Sequence, residues 1–388
     1  MSTTTPRIRV ALIGLSSTAT TAWAASAHLP YLLSPAGKAK YEIVALLNSS
    51  EAAARAARDA FNLPAATTRV YGDPAALAAD GGVDLVVCAT RVDKHYGTVL
   101  ASVQAGKDAF VEWPLAHDAA HARELAEAVA RNGARSVVGL QGREAPFVKK
   151  LRALLEEGRI GKVLSSEVRG AGFLGSRTTV PEGLGYITDA KVGGNLVTIG
   201  FAHLFDTVQS VVGDLASVKG DFHLQFPENQ LVNAAGEVVK TVRSDVPDLI
   251  FVSGKWAEST LTQKNATLHF RLSKGSPFPG EPALQWTITG EKGEIRVVSP
   301  KTIFLSMGDP TAPPVLEIHD FATGNVEKVE WDWEDWRADL PLPARNVGAL
   351  YESYAKDKGA GAAESYAAFA VALKRHEQLE GLLAEWQP

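Results

Sequence analysis

The sequence predicts an α/β fold with two domains, residues 1–143 and residues 144–388. The chain has 388 residues, 46% of them hydrophobic and 21% charged, so it can bury more core than one ordinary domain contains. Up to residue 143, strand patterns alternate with helix patterns, which indicates a parallel sheet with helices on both faces. Beyond residue 144, most strand patterns follow one another, which favours an α+β domain with a large, mostly antiparallel sheet.

The elements of the first domain are placed from their apolar runs and their glycine endings. Gly106 and the pair Asn132-Gly133 end two helices, since glycine adopts the left-handed backbone that follows a helix. The expected order is strand 8–13, helix 22–28 interrupted at Pro30, strand 41–47, helix 51–61, strand 83–88, helix 95–105, strand 108–111, helix 117–131 and strand 136–140. This alternation is that of a Rossmann sheet, whose ligands bind beyond the carboxyl ends of the strands.

The loop after the first strand keeps only part of a dinucleotide-binding pattern. The usual pattern places three glycines in six residues, and here only Gly14 is present. Ser16, Ser17, Thr18 and Thr20 carry hydroxyls that could donate hydrogen bonds to a pyrophosphate above a helix N-terminus. The other interpretation is a solvated turn that caps the next helix. The surrounding strand–helix–strand context favours cofactor binding.

The end of the second strand bears on the choice between NAD and NADP. An acidic residue usually takes the ribose 2′-hydroxyl at this point, whereas this chain has Asn48-Ser49-Ser50. Arg55 and Arg58 follow one or two turns later, so a 2′-phosphate would not be repelled at the strand end. The alternative is that both arginines are merely solvated. The sequence therefore predicts NAD or NADP without deciding between them.

The second domain begins with helix 146–156 and a long strand, 163–172. Loop 173–192 carries glycines together with Phe173 and Tyr186, which is typical either of a pocket lining or of an ordinary surface excursion. A helix at 193–212 is expected to pack on one face of a sheet, and a final helix is expected over 363–386. The remaining strands are expected at 216–224, 249–256, 266–272, 284–290 and 294–298.

Composition argues against several classes of function. Cys88, the single cysteine, lies in an apolar strand, so the sequence predicts no disulfide framework and a reducing compartment, the cytoplasm or the nucleus. The scattered histidines give no zinc-ligand spacing, so no metal site is predicted. No apolar run approaches the roughly 20 residues that span a bilayer. A net charge of −5 without a basic block argues against a direct nucleic-acid surface.

Residues 108–116 carry a specific resemblance to known proteins. Glu112-Trp113-Pro114 follows a strand and resembles the Glu-Lys-Pro turn of the glucose–fructose oxidoreductase/inositol dehydrogenase (Gfo/Idh/MocA) family. In that family the lysine lies beside the nicotinamide and helps to move the substrate proton. Trp113 stands in its place, and an indole N–H donates only and does not titrate in the useful range. The resemblance therefore implies a nicotinamide site without its usual acid/base group.

A second stretch, residues 193–206, resembles the family's glycine-rich helix start and keeps His203 and Asp206 in register. Positions 199, 203 and 206 are spaced at i, i+4 and i+7, so a regular helix would present them on one face. The family turns that face toward the nicotinamide and the substrate, and it has aspartate where this chain has Ile199. His203 could still act as acid or base near neutral pH or donate a hydrogen bond. The other interpretation is a satisfied core histidine.

Strand-end position and the resemblance together give the candidate site. The cofactor-binding candidates are Gly14, Ser16, Ser17, Thr18, Asn48, Ser49, Thr90, His95, Glu112, Trp113 and Arg143. The candidates for handling the substrate proton are His203, Tyr186 and Lys94. NAD or NADP would supply the hydride chemistry, and the substrate would be a small polar molecule such as a sugar, a lactone or a secondary metabolite.

One branch of the family, the galactose-regulon repressors of yeast, shares the Glu-Trp pair and resembles this chain at Leu140–Arg143 and Leu196–Thr198. Two functions follow from the resemblance: an oxidoreductase with an altered active site, or an inactive dinucleotide-binding regulator that binds a segment of a transcription activator. The family also implies a homodimer. Removing a general acid or base costs about 10²–10⁴-fold in rate, which leaves room for a slow enzyme. Because the family is mostly enzymatic, the oxidoreductase is preferred.

Overall fold

The computed structural model describes residues 6–306, 308–360 and 366–387. The strands in these residues are β1 (Ile8–Ile13), β2 (Tyr41–Leu47), β3 (Arg69–Tyr71), β4 (Leu85–Cys88), β5 (Asp108–Val111), β6 (Ser136–Val138), β7 (Val163–Gly172), β8 (Thr179–Pro181), β9 (Leu215–His223), β10 (Glu228–Val232), β11 (Val238–Arg243), β12 (Leu249–Trp256), β13 (Thr262–Lys274), β14 (Leu284–Gly290), β15 (Gly293–Ser299), β16 (Val315–Asp320) and β17 (Val326–Val329). The α-helices are α1 (Leu29–Leu33), α2 (Pro35–Lys40), α3 (Glu51–Ala60), α4 (Pro74–Ala78), α5 (Val92–Gln104), α6 (Ala119–Asn132), α7 (Pro146–Glu156), α8 (Ala202–Val212), α9 (Asp335–Ala338), α10 (Leu342–Ala360) and α11 (Phe369–Leu383). Two π-helical segments, Ala24–His28 and Leu196–Phe201, lead into α1 and α8.

The first six strands form one parallel sheet in the order β3-β2-β1-β4-β5-β6. This is the Rossmann order, in which the direction of winding reverses between β1 and β4. The strands are almost continuously apolar because both faces of such a sheet are covered, and Leu12, Val87 and Phe110 are buried. The predicted Rossmann fold is confirmed.

The chain folds as two compact units, and the first unit is not one continuous segment. It comprises Met1–Gln141 and Glu334–Glu377, and the second comprises Gly142–Trp333 and Gln378–Pro388. The sequence by itself places everything after residue 143 in one domain. The structure instead groups most of the C-terminal helices with the N-terminal sheet.

Aromatic side chains explain why the C-terminal helices belong to the first unit. Tyr351 of α10 stacks on Tyr31 with ring centroids 5.2 Å apart, and the hydroxyl of Tyr41 donates a hydrogen bond of 2.5 Å to the Tyr351 carbonyl oxygen. Tyr354, one turn later, donates a hydrogen bond of 2.5 Å to the Asp108 carboxylate. These contacts bury one side of α10 in the core of the Rossmann unit.

Helix positions differ from the expected ones near both ends of the chain, and several short helices are not predicted. The helix after β1 begins at Ala24 and continues through Pro30, where the sequence predicts an interruption. Pro30 lies in the first turn of α1, where the missing N–H of proline is tolerated. The final helix is observed as α11, and its expected first residue, Ala363, lies outside the described residues. Helices α2, α4, α9 and α10 have no counterpart among the elements that the sequence predicts.

The second unit is built on an eight-stranded sheet in the order β17-β16-β15-β14-β7-β13-β12-β9. Neighbouring strands are antiparallel except for β7 and β13, so the predicted, mostly antiparallel sheet is confirmed. Phe201 and Phe205 contact Phe270 of β13 edge-on, with ring centroids 5.0 and 6.0 Å apart. The predicted packing of the 193–212 helix on this sheet is therefore present.

The segment 173–192 is more ordered than the sequence predicts. It contains β8 and a 3₁₀ segment, Glu182–Thr188, and β8 pairs with β10 in a small sheet that also includes β11. Val180, Ile187 and Leu231 form a separate buried cluster beneath it.

Across the described part of the chain, none of the helices combines the length and the hydropathy that a bilayer crossing requires.

Candidate active site

The turn after β1 accepts only glycine. Gly14 has a φ of +92°, in the left-handed region that side chains disfavour. A Cβ atom at this position would lie 2.6 Å from Cγ2 of Thr90 and 3.1 Å from the carbonyl oxygen of Ala89. Gly14 therefore brings the end of β1 against the loop after β4, at the reversal point where Rossmann sheets bind their ligands.

The loop after Gly14 is held in shape by a serine. Oγ of Ser16 accepts hydrogen bonds from the backbone N–H groups of Thr18 and Ala19, at 3.2 and 3.1 Å. Ser17 and Thr18 are exposed, so their hydroxyls are accessible to a phosphate. The loop spans residues 14–23 before the π-helical segment begins, which makes it longer than the tight glycine turn of the usual pattern.

Asn48 lies directly after β2, and its side-chain amide is hydrogen-bonded through the nitrogen but not through the oxygen. Its Nδ2 donates hydrogen bonds to the carbonyl oxygens of Leu15 and Ala53, at 2.9 and 3.2 Å. Its Oδ1 is buried, and no donor among the described residues reaches it. A buried acceptor without a partner costs about 1–3 kcal/mol, which a donor such as a ribose hydroxyl would remove. Asn48, with the exposed Ser49 beside it, therefore fits the ribose of a nucleotide.

Glu112, directly after β5, is held by a buried chain of hydrogen bonds. Its Oε1 lies 2.9 Å from Nε2 of His28, and Nδ1 of His28 lies 2.9 Å from the hydroxyl of Tyr351. All three side chains are buried. Gly139 leaves the space for the carboxylate, because a Cβ there would lie 2.6 Å from Cδ of Glu112. Nothing in the sequence motif around Glu112 predicts that His28 binds it or that Tyr351 binds His28.

His95, on α5, joins the loop after β4 to the turn after β5. Its Nε2 lies 2.9 Å from the carbonyl oxygen of Thr90, and its Nδ1 lies 2.9 Å from that of Pro114. Burial lowers the pKa of His95, and the two carbonyl contacts oppose this shift only in part. A neutral imidazole donates to one carbonyl at a time. His95 is 1% exposed, so it positions the two strand-end segments and does not present its ring to a ligand.

Trp113 is buried within the first unit. It is 5% exposed, and its ring lies 4.8 Å from the ring of His376 on α11, with the planes inclined by 43°. Where the family resemblance predicts a lysine, this chain has an indole packed on an imidazole. The position therefore contributes apolar contact in place of a mobile proton.

Burial lowers the pKa of His376 to about 4, and the Asp118 carboxylate opposes the shift only in part. The folded chain keeps this imidazole neutral, whereas the unfolded chain protonates it below about pH 6.5. Since the unfolded state takes up the proton first, we expect His376 to lower the free energy of unfolding by about 3 kcal/mol as the pH falls from 6.5 to 4. His376→Phe should lack this part of the pH dependence. Urea unfolding at a series of pH values, followed by tryptophan fluorescence, measures it.

The matched control for this pH dependence is His223→Phe. The side chain of His223 is 47% exposed, so this variant shows how far the exchange of an exposed histidine for phenylalanine by itself alters the slope of unfolding free energy against pH. Identical slopes for the parent and His376→Phe would show that His376 is already solvated in the folded chain.

Arg143 and Asp206 form a buried ion pair in the second unit. Nε of Arg143 donates to Oδ2 of Asp206 at 2.8 Å, and a second guanidinium nitrogen donates to Oδ1 at 2.5 Å. Asp206 is 1% exposed. The resemblance places both residues in ligand-binding motifs, whereas in this structure they bind each other. Arg143 thereby fixes the start of the second unit against α8.

Ile199 and His203 are both partly exposed, and Asp206 is not. The sequence places all three on one helical face. Residues 196–201 form a π-helical turn, which is wider than an α-helical turn and changes the phase of Ile199 relative to α8. His203 and Asp206 both follow that turn on α8, where His203 is the accessible titratable group and Asp206 the buried one.

The other two proton-transfer candidates lie in different units. Tyr186 belongs to the 3₁₀ segment of the second unit and is half-buried over the cluster around Val180. Lys94 lies on α5 in the first unit, with its side chain 62% exposed and its Nζ 3.3 Å from the Asp93 carboxylate. Lys94 is thus a solvated surface lysine in an ion pair.

The first unit brings most of the cofactor candidates to the carboxyl ends of its strands. They are Gly14, Ser16, Ser17, Thr18, Asn48, Ser49, Thr90, His95, Glu112 and Trp113. Arg143, by contrast, lies in the second unit with His203 and Tyr186. Sequence reasoning misses a group of His and Asp side chains at the start of α6, although their spacing of one and four residues could have indicated it.

The two halves of the chain match models of known families. Residues 8–140 match an oxidoreductase family with an NAD-binding Rossmann fold, and residues 146–299 match the Gal80p C-terminal domain. Dehydrogenase aclE of Aspergillus oryzae is 31% identical over 349 residues, which are 90% of this chain and 88% of that protein. The chain belongs to the Gfo/Idh/MocA oxidoreductase family. The galactose/lactose metabolism regulatory protein GAL80 of Saccharomyces cerevisiae is 27% identical over 300 residues, or 75% of this chain and 66% of that protein.

Solved structures share the fold of this Gfo/Idh/MocA chain. A super-repressor mutant of Gal80p from Saccharomyces cerevisiae has a TM-score of 0.84 at 22% identity, covering 98% of this chain and 96% of that one. An oxidoreductase from Agrobacterium radiobacter in complex with NAD+, L-tartaric acid and magnesium has a TM-score of 0.72 at 19% identity, covering 98% and 97%. The same fold thus serves a transcriptional repressor and an oxidoreductase, so it does not by itself assign the activity.

Proposed function

We propose that this chain is an NAD(P)-dependent oxidoreductase that acts on a small polar carbonyl or hydroxyl compound, such as a sugar, a lactone or a secondary metabolite. The turn at Gly14 supports this most directly. It closes against Thr90 without room for a side chain, as a backbone that approaches a pyrophosphate requires. The unsatisfied Oδ1 of Asn48 adds a position for a ribose hydroxyl.

In this proposal, His203 accepts and donates the substrate proton. A bound nicotinamide nucleotide would donate or accept the hydride. Trp113 offers no base and Ile199 offers no carboxylate, so neither residue can take the proton of a substrate hydroxyl. His203 is accessible, and an imidazole can accept and return a proton near neutral pH. Tyr186 and Lys94 are the secondary candidates. Loss of the usual lysine is expected to slow turnover by about 10²–10⁴-fold.

NAD is the expected nucleotide rather than NADP. Glu51 opens α3 directly after the strand end that binds the ribose in Rossmann folds, and its carboxylate would repel a 2′-phosphate, which corrects the expectation drawn from Asn48-Ser49-Ser50. Arg58, which could have bound that phosphate, is paired with the neighbouring Asp59 at 2.9 Å. Arg55 remains exposed. We therefore propose that NADH binds more tightly than NADPH.

Nucleotide titration and turnover test the proposal together. NADH and NADPH are titrated into the full chain while tryptophan fluorescence is followed, and oxidation of the reduced nucleotide is measured across a panel of sugars, lactones and ketones. We expect NADH to bind, and His203→Asn to keep the same Kd while lowering kcat at least about tenfold. His223→Asn is the control and should change neither value. Failure of both nucleotides to bind would overturn the proposal.

A dinucleotide-binding regulator is the second candidate. It is favoured by the match of residues 146–299 to the Gal80p C-terminal domain, together with the tryptophan at position 113. The nucleotide would then act as a ligand, and the partner would be an acidic segment of a transcription activator. NADH binding without turnover of any carbonyl in the panel would favour this candidate. The homodimer and the cytoplasmic or nuclear location stay predictions.

A further inference from the structure

Three side chains with metal-binding atoms converge at the start of α6. They are His117, Asp118 and His121, which we call the His-Asp-His cluster. Nδ1 of His121 lies 2.7 and 2.8 Å from the two carboxylate oxygens of Asp118, and Nε2 of His117 lies 3.2 Å from Oδ2. The two imidazole rings are 4.4 Å apart between centroids. One ligand atom from each residue lies within 4.8 Å of the others.

Capping of α6 explains why Asp118 lies where it does, but it does not explain why two histidine side chains lie beside its carboxylate. Asp118 is the N-cap of α6, and its carboxylate accepts a hydrogen bond of 2.8 Å from the backbone N–H of His121. Capping needs no imidazole, yet two imidazoles face this carboxylate. Nδ1 of His117 is buried and has no hydrogen-bond partner among the described residues.

A third imidazole lies within reach of the charges of this cluster. His376 is 7% exposed, and Asp118 and His117 are among the groups that act on it electrostatically. Its Nε2, like Nδ1 of His117, is buried without a hydrogen-bond partner in the described part of the chain. The region therefore holds more imidazole nitrogen atoms than its hydrogen bonds use.

The chemistry of the cluster points to one class of ligand. Two imidazoles and one carboxylate are the donors that zinc, nickel and cobalt prefer, whereas magnesium and calcium prefer oxygen alone. The three side chains are 30%, 40% and 36% exposed, which provides an entry path and room for water in the remaining positions. We propose that His117, Asp118 and His121 bind a divalent transition-metal ion of the zinc class.

Binding would exchange the hydrogen bond between His121 Nδ1 and Asp118 for bonds from both groups to the metal. The second carboxylate oxygen would stay available to cap α6. Because His117 follows the turn that carries Glu112 and Trp113 by only a few residues, an occupied site would fix that turn to the start of α6. The site is independent of the proposed oxidoreductase activity, since it uses none of the candidate nucleotide or proton-transfer residues.

Metal titration of the full chain tests the proposal. After chelator treatment, zinc chloride is titrated by calorimetry, and cobalt chloride is titrated while its visible absorption is followed. We expect one ion per chain with a Kd in the micromolar range. His117→Ala and His121→Ala should each weaken binding at least about tenfold.

Two further variants separate metal binding from folding. Asp118→Asn keeps an N-cap side chain, since asparagine caps as well as aspartate does, but it removes the charged ligand, so it should keep α6 and weaken the metal. His223→Ala removes a histidine that also lies beside an aspartate, at 3.1 Å, in the second unit, and it should leave binding unchanged. The proposal is overturned if the parent takes up no ion, or if the ion is retained when His117 and His121 are both replaced.

Discussion

Replacing Asp206 with alanine is expected to lower the free energy of unfolding of the second unit by about 3–5 kcal/mol. The substitution leaves the guanidinium of Arg143 without its carboxylate at a site where Asp206 is 1% exposed. Burial would lower the pKa of Arg143, but the Asp206 carboxylate outweighs it and raises that pKa. A guanidinium stays protonated in proteins, so the charge of Arg143 persists when its partner is removed, and a buried charge without a partner is strongly destabilising.

The ion-pair prediction has two matched comparisons. Arg159→Ala breaks a surface pair with Glu327, whose side chains are 41% and 57% exposed, and it should cost no more than about 1 kcal/mol. The double variant Arg143→Ala/Asp206→Ala removes both charges and should be less destabilised than the sum of the single variants. Urea unfolding of the parent, both single variants, the double variant and Arg159→Ala measures these losses. Equal losses for Asp206→Ala and Arg159→Ala would show that the pair is not a buried one.

Replacing Gly14 with alanine is expected to weaken NADH binding by about a hundredfold. A side chain at this position meets both a left-handed backbone, at φ +92°, and the Cγ2 atom of Thr90 at 2.6 Å. The turn must shift to relieve this contact, and it would carry the end of β1 away from the position that admits a pyrophosphate. Titration of the variant by tryptophan fluorescence measures the change in Kd.

Gly106→Ala separates crowding from backbone strain. Gly106 has a similar φ of +80°, but nothing lies within 4 Å of the place where its Cβ would be. This variant should lose about 1 kcal/mol of stability and keep the NADH affinity of the parent. If Gly14→Ala binds NADH as tightly as Gly106→Ala does, the nucleotide does not approach the turn after β1.

The Rossmann sheet was readable from the sequence because each of its buried strands is a short apolar run. Glycines at helix ends divided those runs correctly, since the left-handed backbone they supply is a local requirement. The loss of titratable residues from the two family motifs could also be predicted from the sequence. Trp113 and Ile199 stand in motifs whose usual residues titrate, and the chemical difference is a property of the residue itself.

The hydrogen-bond and ion-pair partners of buried side chains could not be predicted from sequence patterns. Glu112 is held by His28, which in turn is held by Tyr351, and the latter two residues are 323 positions apart. Asp206 keeps the spacing of a ligand-facing residue, yet Arg143 takes its carboxylate. No local pattern carries either contact.

The sequence by itself determined five of the six strands of the parallel sheet, all but β3, together with the single glycine of its first turn and the loss of two titratable groups. The tertiary structure decided that the C-terminal helices complete the first unit, and it brought His117, Asp118 and His121 together. The physical reason is the range of the forces involved. Backbone conformation and hydrophobic periodicity act between near neighbours, whereas ion pairs, buried hydrogen bonds and metal ligands depend on which distant segments the packed core places side by side.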